Sequence, residues 1–311
     1  MYHVRDGVIG LAIGEAMGIP TESCKREDLL EKPVLKMSPK ISNGIPKGAW
    51  GSGTSLTLAT MDAISKSGLN YTAMADNYVR WFTTNKFCSI NESFSIENTT
   101  LKSLVRYTQH MEEAYECGSD DYYDNGNGSL VRILPIAYYF STHKNTDKKI
   151  YEVVKKTSSI THAHEVSVLG CYIFVRLVMN LLKGNNKYSA LNQVRKLDYS
   201  MFSKASLDEY SRILVADISE LEIEEIKTTS FVVDTLEAAI WCFLKSDSYK
   251  ECVIATTNIG GDTDTIGAIA GALSGIFYGY SNIPKSYLED IRKKDYLIEV
   301  CENLETYLRK M

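Results

Sequence analysis

The sequence is short of the features that mark specialised classes of protein. No cysteines are spaced as Cys-x-x-Cys; the seven present lie singly between Cys24 and Cys301. An odd, scattered set excludes a disulfide framework and a zinc-ribbon site, and fits a reducing cytoplasm with buried thiols. Basic excess is also missing: 34 Lys and Arg stand against 39 Asp and Glu, a net charge of -5. That balance supplies no basic stripe, so no nucleic-acid partner is expected. No run approaches the roughly eighteen consecutive apolar residues of a membrane span. The first apolar stretch is broken by Gly14 and Glu15, so neither a secretory leader nor a membrane segment is expected. Strand-like alternation is almost absent, as are internal repeats. Of six prolines, three (Pro33, Pro39, Pro46) fall within residues 25–49, a polar, Lys-rich stretch that reads as an irregular loop.

What is present is an ordinary globular composition, 44% hydrophobic and 23% charged over 311 residues. Helical spacing dominates it. Residues Asp6 to Met17 carry apolar groups at that spacing with Gly7, Gly10 and Gly14 interleaved, which implies close helix–helix contact. Further helices are predicted over Leu56–Ile64, Tyr71–Phe82, Thr99–Cys117, Ser129–Phe140, Tyr151–Thr157, Glu165–Lys183 and Leu236–Leu244, with a charged surface helix over Ser286–Lys310. Arg132, on an apolar stretch, is expected to pair with a carboxylate. Residues 184–229 are polar and weakly periodic. The fold expected is all-α, one domain over residues 1–311.

The densest polar feature is Gly260-Gly261-Asp262-Thr263-Asp264-Thr265-Ile266-Gly267, followed by a small-residue apolar run. Two carboxylates between buried helices need a counter-charge, and Mg²⁺ or Ca²⁺ prefers such oxygen ligands. The alternative is an Asp N-cap. Trp50–Ser55, Asp124–Gly128 and Thr161–His164 are polar loops that likewise precede apolar helices. Converging helix N-termini would make an oxygen-rich cleft polarised for an anion. His162 and His164, two apart, do not share a helix face, so no His-based zinc site is indicated; ligand contact and a capping or core role stay open for them. Glu22, just past the first helix, is either a surface acid or a group projecting into a site.

Gly261-Asp262-Thr263-Asp264-Thr265-Ile266-Gly267-Ala268-Ile269-Ala270-Gly271-Ala272-Leu273 closely resembles the signature of the ADP-ribosylglycohydrolase family. Gly14–Glu22, Gly126–Pro135, Thr161–His164 and Val233–Ala239 resemble the same family in the same order, together spanning residues 7 to 279. The resemblance implies an orthogonal multi-helix bundle around a central cleft. It implies an enzyme that hydrolyses the bond joining ADP-ribose to a protein side chain, commonly arginine or serine, or acts on a related ADP-ribosyl compound; a monomer is expected. It also implies Mg²⁺ or Mn²⁺. By match to the motif, Asp262, Asp264, Thr265 and Thr54 would be metal ligands, and Asp262 would act in catalysis. Glu22 would be the general base. Gly126, Asn127, Gly128 and Ser129 would cradle the diphosphate or distal ribose, with His162 beside the ligand. Tyr123, or Tyr122, is a candidate to stack on adenine by composition alone.

One departure stands out. Where the family carries Thr-Asp-Asp-Thr, this chain has Gly51-Ser52-Gly53-Thr54, so Ser52 and Gly53 occupy the two Asp positions. Two adjacent dications would repel with little to offset them. The expectation is therefore one tightly bound ion and an impaired metal site. The alternative is a weak or inactive pseudoenzyme that binds ADP-ribose or a related nucleotide.

Overall fold

Gly10, Gly14 and Gly18 recur along one face of the first helix, and Gly267, Gly271 and Gly275 along one face of a helix near the other end of the chain. In the computed structural model these faces meet. The structure describes residues 3–109, 113–142 and 144–311. The helices that frame the core and the site are α1 (Val4–Gly18), α2 (Ser52–Ser67), α3 (Tyr71–Thr84), α4 (Asn98–Gln109), α5 (Leu134–Ser141), α6 (Asp147–Ser158), α7 (Glu165–Leu182), α8 (Val232–Lys245), α9 (Tyr249–Thr257), α10 (Thr263–Tyr278) and α11 (Lys294–Lys310). Among the described residues there are isolated β-bridges but no strand, as an all-α reading requires.

The α1–α10 pair is the spine. A Cβ on Gly14 would stand 1.9 Å from the Gly267 carbonyl oxygen, one on Gly10 2.3 Å from that of Gly271, and one on Gly275 2.2 Å from that of Asp6. The backbones thus touch without intervening side chains, which only glycine permits. The pair is antiparallel, so the C-terminal end of α1 lies at the N-terminal end of α10. There the Thr263 hydroxyl donates to the Gly18 carbonyl at 2.9 Å, and Thr21 Oγ1 donates to Thr263 Oγ1 at 3.1 Å. α9, α8, α3, α2 and α11 complete the packing around this spine and its neighbours.

Several boundaries differ from the sequence reading. The helix expected over Ser129–Phe140 is two, Gly128–Val131 and α5, because Pro135 lacks an N–H and its ring would meet the Val131 carbonyl. The helix expected to reach Cys117 is α4, described over Asn98–Gln109, with a short 3-10 turn over Ala114–Glu116; residues 110–112 of that span lie outside the described residues, as do Met1 and Tyr2 of the N-terminal stretch. The loop expected over 25–49 contains a short helix, Arg26–Glu31, and the weakly periodic stretch contains Lys187–Arg195. α9 was not anticipated, although Ser248 caps it with Glu251 three residues on, a capping-box spacing. The C-terminal segment expected as one surface helix is two, Lys285–Asp290 and α11. α11 keeps its charged face exposed and buries Leu297, Val300, Cys301, Leu304 and Leu308 against α2 and α1. α7 is, by length and composition, apolar enough to cross a membrane, contrary to the sequence reading; it is mostly buried inside the fold, the situation of a core helix.

Arg132 also differs. It is fully buried, and among the described residues no ion pair joins it to a carboxylate. It donates to the carbonyls of Thr157 (3.0 Å) and Ser158 (3.3 Å) at the end of α6, and to the hydroxyls of Tyr78 and Thr161. The partial negative charge of a helix C-terminus takes the carboxylate's place.

Candidate functional site

The end of the spine builds the site. Gly260 and Gly261 have φ of +80° and +73°, left-handed values that favour glycine. They turn the chain sharply into α10. The turn is pinned on both sides: Ser23 N–H donates to the Gly261 carbonyl (2.8 Å) and Asp262 N–H to that of Thr228 (2.9 Å). Asp262 precedes α10 but makes no side-chain cap hydrogen bond. The N-cap alternative therefore fails for it, and its carboxylate is left for the cavity.

Carboxylate oxygens of Glu22, Asp262 and Asp264 lie within 4.8 Å of one another. Asn127 Nδ2 donates to Asp262 at 2.5 Å and to Thr235 Oγ1 at 2.7 Å, tying the Gly126–Gly128 loop to both α8 and the acids. Among the described residues, Lys40 pairs with Glu22 at 2.6 Å and no ion pair reaches either Asp. Burial, and then the charges of Asp262 and Glu22, pushes Asp264 well above the usual carboxylate range. Burial also pushes Asp262 up to about 6, with Glu22 and Glu97 adding to it and the Asn127 hydrogen bond opposing. Three carboxylates that crowd and desolvate one another in this way make a donor set suited to a hard cation.

These groups open into a cavity of about 410 Å³. Of the residues singled out in the sequence, Glu22, Asn127, Gly128, Asp262, Asp264 and Thr265 line it, and so do Ser52 and Gly53. The others stand elsewhere. Thr54 is fully buried and gives its hydroxyl and its N–H to Glu15. Ser129 is buried against Ser158 and Cys171. His162 is buried one layer behind the wall, between Thr161 Oγ1 (2.7 Å) and Glu97 Oε1 (3.1 Å). His164 caps α7. Tyr123 is almost fully exposed and outside the cavity lining, and Tyr122 packs edge-on against His164.

Two acids were missed. Glu15, on α1, is fully enclosed; it accepts from the N–H groups of Gly53 and Thr54, each at 2.9 Å, capping α2 from outside. Burial raises it above the usual range against those hydrogen bonds. A Cβ on Gly53 would stand 2.8 Å from Glu15 Oε1 and 2.8 Å from Val131 Cγ2. Space at one of the two acid-less positions is therefore already filled. The sequence signal was a lone acid inside an apolar, glycine-rich helix. Glu97 is the second. Its carboxylate lies over the Gly126-Asn127-Gly128 loop, where a Cβ on Gly126 or Gly128 would come within 1.8 or 2.1 Å of it. Nothing in the local sequence around Asn98-Thr99-Thr100 points to that role.

The sequence model of the ADP-ribosylglycohydrolase family matches residues 2–310. A relative from Serratia proteamaculans, "ADP-ribosylarginine hydrolase Tri1", is 26% identical over 304 residues, covering 96% of this chain and 78% of its own. Another from Rhodospirillum rubrum, "ADP-ribosyl-[dinitrogen reductase] glycohydrolase", is 26% identical over 293 residues, covering 92% and 89%. A solved structure titled "ADP-ribosylglycohydrolase-related protein complex" superposes with a TM-score of 0.80 at 23% identity, covering 98% of both chains, a likeness of fold.

Proposed function

The chain belongs to the ADP-ribosylglycohydrolase family, and from that premise we propose that it is a hydrolase releasing ADP-ribose from a modified protein side chain or related compound, with the help of a bound divalent cation. The observation that carries the reading is the Glu22–Asp262–Asp264 cluster at the floor of the cavity. Mg²⁺ or Mn²⁺ fits it, because its carboxylate oxygens are close and, among the described residues, Lys40 on Glu22 is the one cation paired with the three acids. Glu22, Asp262 and Asp264 would hold the ion, with Thr265 beside them. When bound, the ion supplies positive charge to the oxygens it holds. Asn127 fixes the Asp262 carboxylate. Glu22 would take a proton from the attacking water. Water adds to the anomeric carbon as its bond to the side-chain nitrogen or oxygen breaks, and the leaving atom gains a proton.

Ser52 and Gly53 line the cavity without bringing a carboxylate to it, so one ion rather than two is expected and turnover is slow. The same observation favours a second reading, an ADP-ribose-binding protein that does not cleave.

The test is release of ADP-ribose from ADP-ribosylated arginine and serine peptides, with Mg²⁺ and with EDTA, beside calorimetry with ADP-ribose. Mg²⁺-dependent release supports the first reading. Saturable binding without release selects the second. Neither binding nor release removes both.

A further inference from the structure

Among the described residues, Lys40 is the one cation paired with the acidic cluster. Its Nζ donates to Glu22 Oε2 at 2.6 Å, and both side chains are largely shielded from solvent, 15% and 30% exposed. Lys40 does not itself line the cavity, so the ammonium reaches Glu22 from outside the lining.

A built turn delivers that ammonium. Lys40 N–H donates to the Ile45 carbonyl at 3.0 Å and Ile45 N–H to that of Lys40 at 3.2 Å, with Gly44 between them at φ +68°. Ile45 is seated in a small apolar cluster with Ile19 and Ala49, against which Ile90 and Phe94 pack, separate from the main core. Ile19 opens the 3-10 turn Ile19–Thr21, which leads directly into Glu22. The turn that carries the cation is thus packed on the segment that carries the acid. A lysine pairing in passing on the surface contributes little; here the backbone of the turn fixes where the ammonium stands.

The consequence is electrostatic. In the metal-free protein Lys40 supplies part of the counter-charge that Glu22, Asp262 and Asp264 need. A divalent ion at the same cluster meets that ammonium as a like charge one carboxylate away. Even at the dielectric of water, such a neighbour opposes a dication by about a factor of ten in affinity. The opposing effect is smaller. Loss of Lys40 frees the Glu22 side chain but not its backbone, which is held by Glu22 N–H on the Gly18 carbonyl and by Ser23 N–H on that of Gly261.

We propose that Lys40 is a tethered counter-ion that sets the cation affinity of the site: it pairs with Glu22 in the metal-free protein and weakens the binding of a divalent ion to the cluster. The proposal rests on the cation site of the function proposed above.

The test is Lys40→Met in the full chain, with calorimetric titration of MgCl₂ and of MnCl₂ into metal-stripped protein. The dissociation constant is expected to fall at least about tenfold. Lys40→Arg keeps the charge and should keep the wild-type constant. Lys47→Met removes the same charge from the same loop, where Lys47 pairs with Asp290 outside the cluster, and should also leave the constant unchanged. A constant that stays or rises in K40M overturns the proposal, because a merely structural role for Lys40 gives weaker binding on its removal, not tighter. Equal tightening in K47M assigns the effect to net charge and overturns it as well. Tightening in K40M of a chain that releases no ADP-ribose supports the proposal and removes only the hydrolase reading. Binding of neither ion by wild type or variants removes the cation site, and the proposal with it.

Discussion

Gly14→Ala tests the element on which the site depends. The added Cβ would stand 1.9 Å from the Gly267 carbonyl oxygen and 2.6 Å from its carbon. Normal contact between such atoms is about 3.5 Å, so α1 and α10 must separate by about 1.5 Å. The obstacle is backbone, so no rotamer change relieves it. Overpacking of this kind costs about 3 kcal/mol or more, and the better helix propensity of alanine returns about 1 kcal/mol. A net loss of about 2 kcal/mol or more is expected. With an unfolding entropy of about 2.1 cal/mol/K per residue, that lowers Tm by roughly 3 °C or more in a chain of this length. The same displacement moves Glu22 relative to Asp262 and Asp264, so the rise in Tm produced by millimolar MgCl₂ should shrink. The assay is thermal unfolding of wild type and variant, with and without MgCl₂. Gly44→Ala is the control: φ is +68° and nothing lies within 4 Å of its Cβ, so only the conformational cost of about 1 kcal/mol applies. A Gly14→Ala protein as stable as the wild type would refute the backbone contact and the account of how the acids are brought together.

Asp264→Asn removes one of the crowded buried charges; the metal-free protein should gain stability while the MgCl₂-dependent rise in Tm disappears, and a retained rise would remove Asp264 from the cation site. Ser52→Asp and Gly53→Asp should differ: Ser52 lines the cavity, so its carboxylate should tighten Mg²⁺ binding in a calorimetric titration, whereas at Gly53 the new side chain meets Glu15 and Val131 and Tm should fall by several degrees. Glu237 is buried in α8 and pushed up to about 7, by burial first, against the opposing charge of Arg212. An acid raised in the fold favours stability below its unfolded value, and that contribution is lost as pH rises from about 4.5 through 7. Glu237→Gln should therefore gain on the wild type by about 2 kcal/mol at pH 8 relative to pH 5; an equal difference at the two pH values would show that Glu237 does not titrate in this window.

The parts of the site that are local in sequence were legible. The glycine spacing of α1 and α10 announced close packing because 3.6 residues per turn puts every fourth residue on one face. Asp262 and Asp264 were legible because two acids and two glycines crowd one turn. Glu15 and Glu97 were not, since their partners lie 38 and 65 residues away and a lone acid carries no periodicity. Arg132 was legible as buried, but its partners are carbonyls at the end of another helix, which side-chain chemistry does not advertise. The charged residues of α11 mark its exposed face, while Leu297, Val300, Cys301, Leu304 and Leu308 mark a continuous buried stripe that ties it to the core.

The α1–α10 contact joins residues 245 positions apart, as the Thr263–Gly18 hydrogen bond shows. During synthesis, α1 leaves the ribosome with its glycine face bare. At about 5–20 residues per second, its partner follows roughly 12–50 s later. Throughout that interval the nascent chain carries an almost wholly apolar helix with nothing to lie against, the state in which chaperone capture and aggregation compete with folding. The cavity is thus among the last features to form, and a ribosome that stops before Thr263 releases a chain without Asp264 and without the helix that sets the acidic cluster.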